Sequence, residues 1–392
     1  MRGAKPGARA RTALRTALAC CAAVLAAGLA GCSMMPSALG GGSDKPTPAE
    51  LPPNAALIAV RPAWSTRVGE VNLPLSVSVS GGMVAVASSE GTVAVIDAAT
   101  GRDVWRASAG APLAAGVGSD GTLVAVVSRA NELVAFTAGK PAWRQKMPAV
   151  SYTAPFVAGG RVFTLTADRA VTAFDGQTGY KLWTQQRAGE PLVLRHAGVM
   201  LAVGDTLVVG LSGRLVGLNP LNGSVRWEAP LATPRGINDV ERLVDLVGGT
   251  SRVGDTVCAR AFQASVGCVN AARGAVLWTK AANGFEGVHG DNGLVFGTEA
   301  DGKVQAWRRD TGERAWVTDR LLHRGLTAPL ALGRSVVVGD SFGLVHLLSR
   351  EDGTLLHRLN TDGSPVVAAP VVAGNTLVVV TRNGGVYGFV PE

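Results

Sequence analysis

A short motif that ends in an aromatic residue recurs along this 392-residue chain, and it constrains the fold more than any other feature. The first full copy reads VAVIDAATGRDVW and ends at Trp105. Later copies end at Trp143, Trp183, Trp227, Trp278 and Trp316, and one further copy, VHLLSREDGTLLH, ends at His357. Successive end positions lie 38 to 51 residues apart. This spacing is the length of a four-stranded blade of a β-propeller.

Every copy shows the same local pattern. A Val-rich run such as TLVVVT leads into a turn with Gly or Asn, and a second strand of the VAVID type follows. A polar turn then contains a glycine, which can adopt the positive φ that tight turns require. No segment carries a long apolar stripe of helical period with caps, so we predict an all-β chain.

The two ends of the repeat region complement each other. An eighth copy, GGVYGFV, begins at Gly384 and lacks its last strand, whereas RPAWSTRVG carries Trp64 ahead of the first complete copy. If this N-terminal strand completes the last blade, the ring closes without a free sheet edge. We therefore predict an eight-bladed antiparallel β-propeller, closed by an N-terminal strand. A seven-bladed ring is the alternative and requires one copy to be spurious.

The repeated tryptophans have a predicted structural role. A large ring at the end of a blade's last strand can pack against the next blade while its indole N–H reaches a backbone carbonyl. We expect this blade-docking role for one residue in each of seven copies, namely Trp64, Trp105, Trp143, Trp183, Trp227, Trp278 and Trp316. Trp307 lies outside the register of the repeat, and its role stays open between core and surface contact.

The first 31 residues have the pattern of a signal peptide. Basic residues precede an apolar run, Ala17 to Leu29, that is too short to span a bilayer comfortably. The run ends in LAGC, which resembles the bacterial lipobox, whose cysteine, here Cys32, is lipidated and becomes the N-terminus. The alternative is a secretory signal with an incidental cysteine. Because Ser33 replaces the aspartate that retains such lipoproteins in the inner membrane, we expect a lipid anchor in the outer membrane, facing the periplasm.

The predicted leader also determines how the charge is interpreted. The whole chain has a formal net charge of +8, but the leader holds five basic and no acidic residues, so about +3 remains without it. No basic run is left that would favour nucleic acid as a partner. Residues 32–55 are rich in Gly, Pro and Ser and are predicted to be a flexible tether, with the propeller over 56–392.

Two cysteines remain after the leader and the lipid site. Cys258 and Cys268 lie in TVCARAFQASVGCVN, which is typical of a hairpin with its turn near Gln263. In an oxidising compartment they form a cross-strand disulfide if the loop places them opposite each other, or else two buried thiols. No CxxC pattern or His/Cys cluster is present in the sequence, so we predict no metal site.

The repeat resembles that of quinoprotein dehydrogenases. Such an enzyme needs calcium ligands, a catalytic aspartate and commonly a vicinal cysteine pair over its quinone. The adjacent cysteines here, Cys20 and Cys21, lie in the leader, and the five histidines are scattered at His196, His289, His323, His346 and His357. We predict a protein without enzymatic activity or cofactor, with a PQQ-dependent periplasmic dehydrogenase as the alternative.

A lipobox, a short tether and an eight-bladed propeller together resemble the BamB family, lipoprotein subunits of the outer-membrane β-barrel assembly machinery. Two connecting segments are more specific. The family's LxLR motif stands here as Leu192, Leu194 and Arg195, and its acidic motif as Arg242-Leu243 followed by Asp245. Val247 departs from the family, which often has a second aspartate there.

The resemblance implies a non-enzymatic scaffold that binds the periplasmic POTRA region of BamA, the barrel subunit. It would also assist the delivery and insertion of unfolded outer-membrane proteins. Both segments fall where the repeat spacing swells to 44 and 51 residues, and insertions beyond a minimal blade often carry function. Leu192 and Leu194 alternate, so an extended backbone would direct both to one side. We expect residues of both motifs to contact the partner, namely Leu192, Leu194, Arg195, Arg242 and Asp245. The alternative is that the leucines belong to a strand core and Arg195 to the solvated surface.

Overall fold

Thirty-two β-strands form eight four-stranded antiparallel sheets in the computed structural model, which describes residues 46–187, 192–234, 237 and 243–392. The eight-bladed β-propeller predicted from the repeat is thereby confirmed. The chain divides into residues 1–47, of which only the last two are described, and a compact unit, Pro48–Glu392. The predicted signal peptide and Cys32 lie outside the described residues. Within those residues, no helix has the length and apolar character needed to cross a membrane.

Each blade contains four strands that follow one another from the centre of the ring outwards. Blade 1 has β2 (Ser78–Ser80), β3 (Met83–Ala87), β4 (Thr92–Asp97) and β5 (Asp103–Ser108). Blade 2 has β6 (Leu113–Ser119), β7 (Leu123–Ser128), β8 (Glu132–Thr137) and β9 (Lys140–Lys146). Blade 3 has β10 (Phe156–Ala158), β11 (Arg161–Leu165), β12 (Ala170–Asp175) and β13 (Lys181–Gln186). Blade 4 has β14 (Met200–Val203), β15 (Thr206–Leu211), β16 (Arg214–Leu218) and β17 (Val225–Pro230).

The remaining blades continue the order. Blade 5 has β18 (Leu246–Val253), β19 (Thr256–Ala261), β20 (Ser265–Asn270) and β21 (Ala275–Ala281). Blade 6 has β22 (Val288–Gly290), β23 (Leu294–Thr298), β24 (Val304–Arg308) and β25 (Arg314–Thr318). Blade 7 has β26 (Leu330–Leu332), β27 (Ser335–Gly339), β28 (Leu344–Ser349) and β29 (Leu355–Asn360). Blade 8 has β30 (Val371–Ala373), β31 (Thr376–Val380), β32 (Gly385–Pro391) and, as its outermost strand, β1 (Val60–Arg67).

The position of a strand in its blade explains its residues. The middle strands are covered on both faces by neighbouring blades, and so they contain nearly continuous apolar runs, such as the wholly buried LVAVVS of β7. The outermost strands alternate between exposed and half-buried residues, as in KLWTQQ of β13. The core therefore lies between the blades, and in every blade but blade 7 the tryptophan of the outer strand faces the next blade.

The contact between neighbouring blades pairs this tryptophan with a glycine. The Trp64 ring of blade 8 lies against Gly101 in the last turn of blade 1, where an added Cβ would lie 2.5 Å from the ring. Six further blade pairs repeat the contact, through Trp105–Gly139, Trp143–Gly179, Trp183–Gly223, Trp227–Gly274, Trp278–Gly312 and Trp316–Gly353. All seven glycines have a positive φ. In five of these pairs the indole N–H also donates to a backbone carbonyl of the next blade, as Trp143 does to Gly176 at 2.8 Å.

Two predictions left open from the sequence concern the interior of blades 5 and 6. Trp307 is buried and packs with Trp278 and the two cysteines, so it is a core residue. Cys258 and Cys268 lie directly opposite each other on β19 and β20, and the structure joins their sulfur atoms in a disulfide. Both cysteines are fully buried.

The compact unit begins earlier than the predicted boundary at residue 56. Residues 48–59, which we call the strap, run along the outer strand of blade 7. The backbone amide of Ala49 donates to Leu322 O at 2.9 Å, and that of Leu57 to Leu356 O at 2.8 Å. Leu51 packs on the core cluster of blades 6 and 7. The last third of the predicted tether, residues 48–55, is therefore part of the compact unit.

Candidate partner-docking site

The two segments that resemble the family motifs lie on the same face of the ring. Each connects the outermost strand of one blade to the innermost strand of the next: the first joins β13 to β14, and the second joins β17 to β18. We call the side formed by these outer-to-inner connections the connecting face. Residues 188–191, 235–236 and 238–242 lie outside the described part, and the predicted contact residue Arg242 is among them.

The described parts of the two segments contact each other directly. The backbone N–H of Leu194 donates to Asp245 Oδ2 at 3.1 Å. The N–H of Gly248 donates to Ala197 O at 2.6 Å, and Gly198 forms an antiparallel bridge with Val247. The structure therefore brings Leu192, Leu194, Arg195 and Asp245 together, although 50 residues separate Arg195 from Asp245 in the sequence.

The three residues of the first motif differ in exposure. Leu192 is 40% exposed, Arg195 is exposed, and Leu194 is half-buried. Leu194 lines a small cleft between blades 3 and 4 with Thr153 and Leu165. The segment 192–195, which we call the docking segment, is not a β-strand, so the leucines are not ordinary strand core. Its exposed side chains are the aliphatic group of Leu192 and the guanidinium of Arg195.

Asp245 has a different environment from the one expected of a residue that pairs with a partner. Its side chain is only 16% exposed, and its Oδ1 accepts a hydrogen bond from Arg169 Nη1 at 3.0 Å. Its Oδ2 accepts from the Leu194 amide, as noted above. Both carboxylate oxygens are thus used inside the chain. Within the chain, Asp245 therefore holds the docking segment, and its contact with a partner stays a prediction.

Arg169 was not recognisable from the sequence. It ends the turn between β11 and β12 of blade 3, with a φ of +61°, and is 7% exposed. Its Nη2 donates to Leu192 O at 3.0 Å. The turn TADR has arginine where the corresponding turns of other blades end in Gly91, Gly343 or Gly384, but only the assembled ring shows that this arginine reaches two connections.

Val247, which replaces the family's second aspartate, is fully buried. It lies opposite Arg260 on the neighbouring strand β19. The Arg260 guanidinium is also fully buried and donates from Nη2 to Glu299 Oε1 at 2.9 Å. Its Nε and Nη1 have no hydrogen-bond partner among the described residues. Position 247 is therefore an interior site next to a buried cation, and its substitution removes no surface contact.

Arg195 also lies at the rim of a central funnel on the connecting face, with a volume of about 830 Å³. The funnel is lined by residues 248–249 of β18 and by five outer-to-inner connections, at residues 71–77, 195–197, 285–286, 325–328 and 365–369. On its wall His196 Nε2 lies 3.5 Å from Glu286 Oε1. Burial lowers the pKa of His196, but the hydrogen bond and charge of Glu286 outweigh it, so the pKa lies above its ordinary value of 6.5.

Known proteins that match the chain identify its family. The family described as outer membrane protein assembly factor BamB matches residues 89–318 and 321–391. The chain belongs to the BamB family. The factor of that name from Burkholderia pseudomallei is 40% identical over 379 residues, which cover 96% of this chain and 97% of the relative. The one from Bordetella pertussis is 37% identical over 360 residues, which cover 91% and 92% of the two chains.

Solved structures agree with the fold. The crystal structure of BamB from Moraxella catarrhalis matches with a TM-score of 0.77 and 23% identity, covering 84% of this chain and 99% of that one. A quinohemoprotein alcohol dehydrogenase from Comamonas testosteroni matches with a TM-score of 0.67 and 15% identity, covering 87% and 78%. At these identities the likeness concerns the fold alone. The family resemblance predicted from the two motifs is confirmed, and the dehydrogenase shares only the architecture.

Proposed function

We propose that this protein is a lipid-anchored, periplasmic subunit of the outer-membrane protein assembly machinery, and that it binds the POTRA region of BamA through the docking segment. The observation that carries the proposal is the exposed Leu192 and Arg195, held next to each other on an ordered frame that includes Asp245. Family membership supports a role in outer-membrane protein assembly. The role is that of a scaffold without catalysis, which assists the folding and insertion of unfolded barrel proteins.

The geometry suits partner binding for two physical reasons. Arginine is enriched among residues that dominate interface energies, because its planar fork can form several directed hydrogen bonds. The hydrogen bonds from Arg169 and to Asp245 fix the backbone of the docking segment before any partner arrives. Binding then loses less conformational entropy than the ordering of a free loop would.

The start of the compact unit lies on the same face. The first residues of the strap lie beside Leu322 in the connection between blades 6 and 7, and so on the connecting face.

The test is binding of the intact chain to purified BamA after the triple change Leu192→Ala, Leu194→Ala and Arg195→Ala. We expect at least a tenfold weaker affinity, with an unchanged melting temperature. A matched control replaces Val276, Leu277 and Arg273, two exposed aliphatic residues and an exposed arginine near the outer strand of blade 5, by alanine. Equal affinity of the triple variant and this control would reject the docking segment as the binding site.

A further inference from the structure

A single buried ion pair joins three segments of the chain at the docking site. Arg169 comes from the turn of blade 3, Leu192 from the connection to blade 4, and Asp245 from the connection to blade 5. The Arg169 guanidinium donates to Asp245 Oδ1 and to Leu192 O, each at 3.0 Å. Asp245 Oδ2 in turn accepts from the Leu194 amide at 3.1 Å. We call this arrangement the clasp.

The docking segment depends on the clasp for its backbone contacts. Between described residues, positions 192–196 form no backbone-to-backbone hydrogen bond and belong to no strand. The chain that follows is fixed independently, since Thr153 Oγ1 accepts from the Gly198 amide at 2.9 Å and Val199 O accepts from Gly210. Loss of the clasp would therefore release residues 192–195 and leave β14 in place.

We propose that Arg169 is the positioning residue of the docking site and fixes the docking segment in the conformation that a partner recognises. This inference rests on the proposed function. Arginine suits the task because its rigid fork can reach a carboxylate and a carbonyl at once, whereas the ammonium of lysine is a compact point charge. A buried ion pair adds little net stability, since both charges lose their hydration, but it defines one geometry. The clasp therefore contributes to binding by ordering the segment.

The experiment compares four forms of the intact chain: the unchanged protein, Arg169→Lys, the double variant Arg169→Gln with Asp245→Asn, and the triple docking-segment variant described above. The double variant removes both charges together, so that no uncompensated charge is left in the interior. Two quantities are measured, the affinity for purified BamA and the hydrogen exchange of the Leu194 amide. Circular dichroism establishes that each variant is folded.

The clasp predicts a specific combination of results. In the double variant the Leu194 amide exchanges roughly tenfold faster or more, because it loses a hydrogen bond to a charged acceptor. The affinity for BamA falls by a similar factor, while amides of β14 and β15 exchange as before. Arg169→Lys retains the charge but not the fork, and it gives a smaller change in both quantities. A purely structural role would instead lower the melting temperature without affecting Leu194 selectively.

The remaining outcomes overturn the proposal in distinguishable ways. In one outcome the double variant has normal Leu194 exchange and normal affinity, whereas the triple variant does not bind. This result would reject Arg169 as a positioning residue and leave the proposed function intact. Unchanged affinity in the triple variant would reject the docking site itself, and with it any role of Arg169 there. If the double variant does not fold, the Arg169→Lys variant tests the proposal in its place. Leu194 exchange and BamA affinity equal to those of the unchanged protein would then contradict the proposal.

Discussion

Three ionisable side chains meet inside blade 7. Asp340 is fully buried and accepts hydrogen bonds from Arg324 Nε at 2.7 Å and from His346 Nε2 at 3.0 Å. Burial raises the pKa of Asp340, but the bonds from His346, the Leu344 amide and Arg324 outweigh it, so this pKa lies below its ordinary 3.8. Burial lowers the pKa of His346 below 6.5, in spite of Asp340. The imidazole is therefore neutral in the folded protein near neutral pH.

These directions predict that acid weakens the fold. Both pKa values are lower in the folded than in the unfolded chain, so the unfolded chain binds more protons as the pH falls. The contribution of His346 to stability is complete above its ordinary pKa of 6.5 and is lost as the pH falls below that value. The contribution of Asp340 is complete above 3.8 and is lost at still lower pH. We expect the free energy of unfolding, measured by urea denaturation, to fall between about pH 7.5 and 5.5.

Replacing His346 by glutamine should flatten this pH dependence. His196 has the opposite sign, because its raised pKa gives a contribution that is complete below 6.5 and is lost as the pH rises through the folded-state value. The measurement is therefore made in a His196→Gln background. The exposed His323, changed to Asn, is the control. An equal slope with and without His346 would contradict the assignment of a neutral buried imidazole.

At the scale of the element, the seam between two blades is a tryptophan on a glycine. Gly179 in the last turn of blade 3 has a φ of +75°, and a Cβ there would lie 2.6 Å from the Trp143 ring of blade 2. Gly159, in another turn of the same blade, has a φ of +60° and nothing within 4 Å of an added Cβ. A comparison of alanine variants at these two glycines therefore distinguishes the cost of backbone strain from the cost of a lost contact between blades.

We predict that Gly179→Ala destabilises the protein more than Gly159→Ala. The left-handed conformation alone costs an L-residue about 1–2 kcal/mol, and both variants share this cost. Only Gly179→Ala also displaces the tryptophan, which adds about 1–3 kcal/mol as overpacking does elsewhere. Urea denaturation monitored by tryptophan fluorescence measures the difference. Equal free energies of unfolding for the two variants would show that the seam tolerates a side chain.

The same seam explains why the blades are predictable from the sequence and the clasp is not. The glycine turn and the tryptophan strand recur in most copies, so the spacing of the copies measures the length of each blade. The family motifs likewise indicate Leu192, Leu194, Arg195 and Asp245 within two short segments. Arg169 pairs with a residue 76 positions away. It stands where the corresponding turns of other blades have Gly91, Gly343 or Gly384, but this difference does not indicate which residue it binds. Such a contact depends on the assembled ring.

At the scale of the whole molecule, the ring closes within blade 8, and the seam between blades 7 and 8 departs from the tryptophan–glycine pattern. Blade 8 is built from both ends of the repeat region, with β1 paired to β32 from Val60–Pro391 to Arg67–Gly385. The outer strand of blade 8, β1, comes from the N-terminal part of the chain and does not follow β32 in the sequence. This blade therefore has no glycine turn linking its last two strands. His357 stands at the blade 7 position where other blades have tryptophan. The strap lies along this edge instead.

The strap's contacts indicate how the closure is held. Asn54 Nδ2 donates to Arg358 O at 2.9 Å, and Arg358 Nη1 donates to Pro52 O at 3.2 Å. Ile58 packs on the apolar cluster shared by blades 7 and 8. The strap therefore covers the one seam without a tryptophan–glycine pair. Since β1 follows it directly, the strap also fixes the strand that closes the ring.

We predict that deletion of residues 48–57 lowers the melting temperature, whereas deletion of residues 34–45 in the predicted tether does not. Partial burial of Leu51, together with weaker packing of Ile58, accounts for about 2 kcal/mol on the scale of apolar transfer. In a chain of this size that corresponds to a melting temperature lower by roughly 3 °C. Differential scanning calorimetry gives the two shifts, and hydrogen exchange in β1 and β29 locates the loss. The strap deletion could instead have the same melting temperature as the tether deletion, with unchanged hydrogen exchange in both strands. That result would show that β1 closes the ring without the strap.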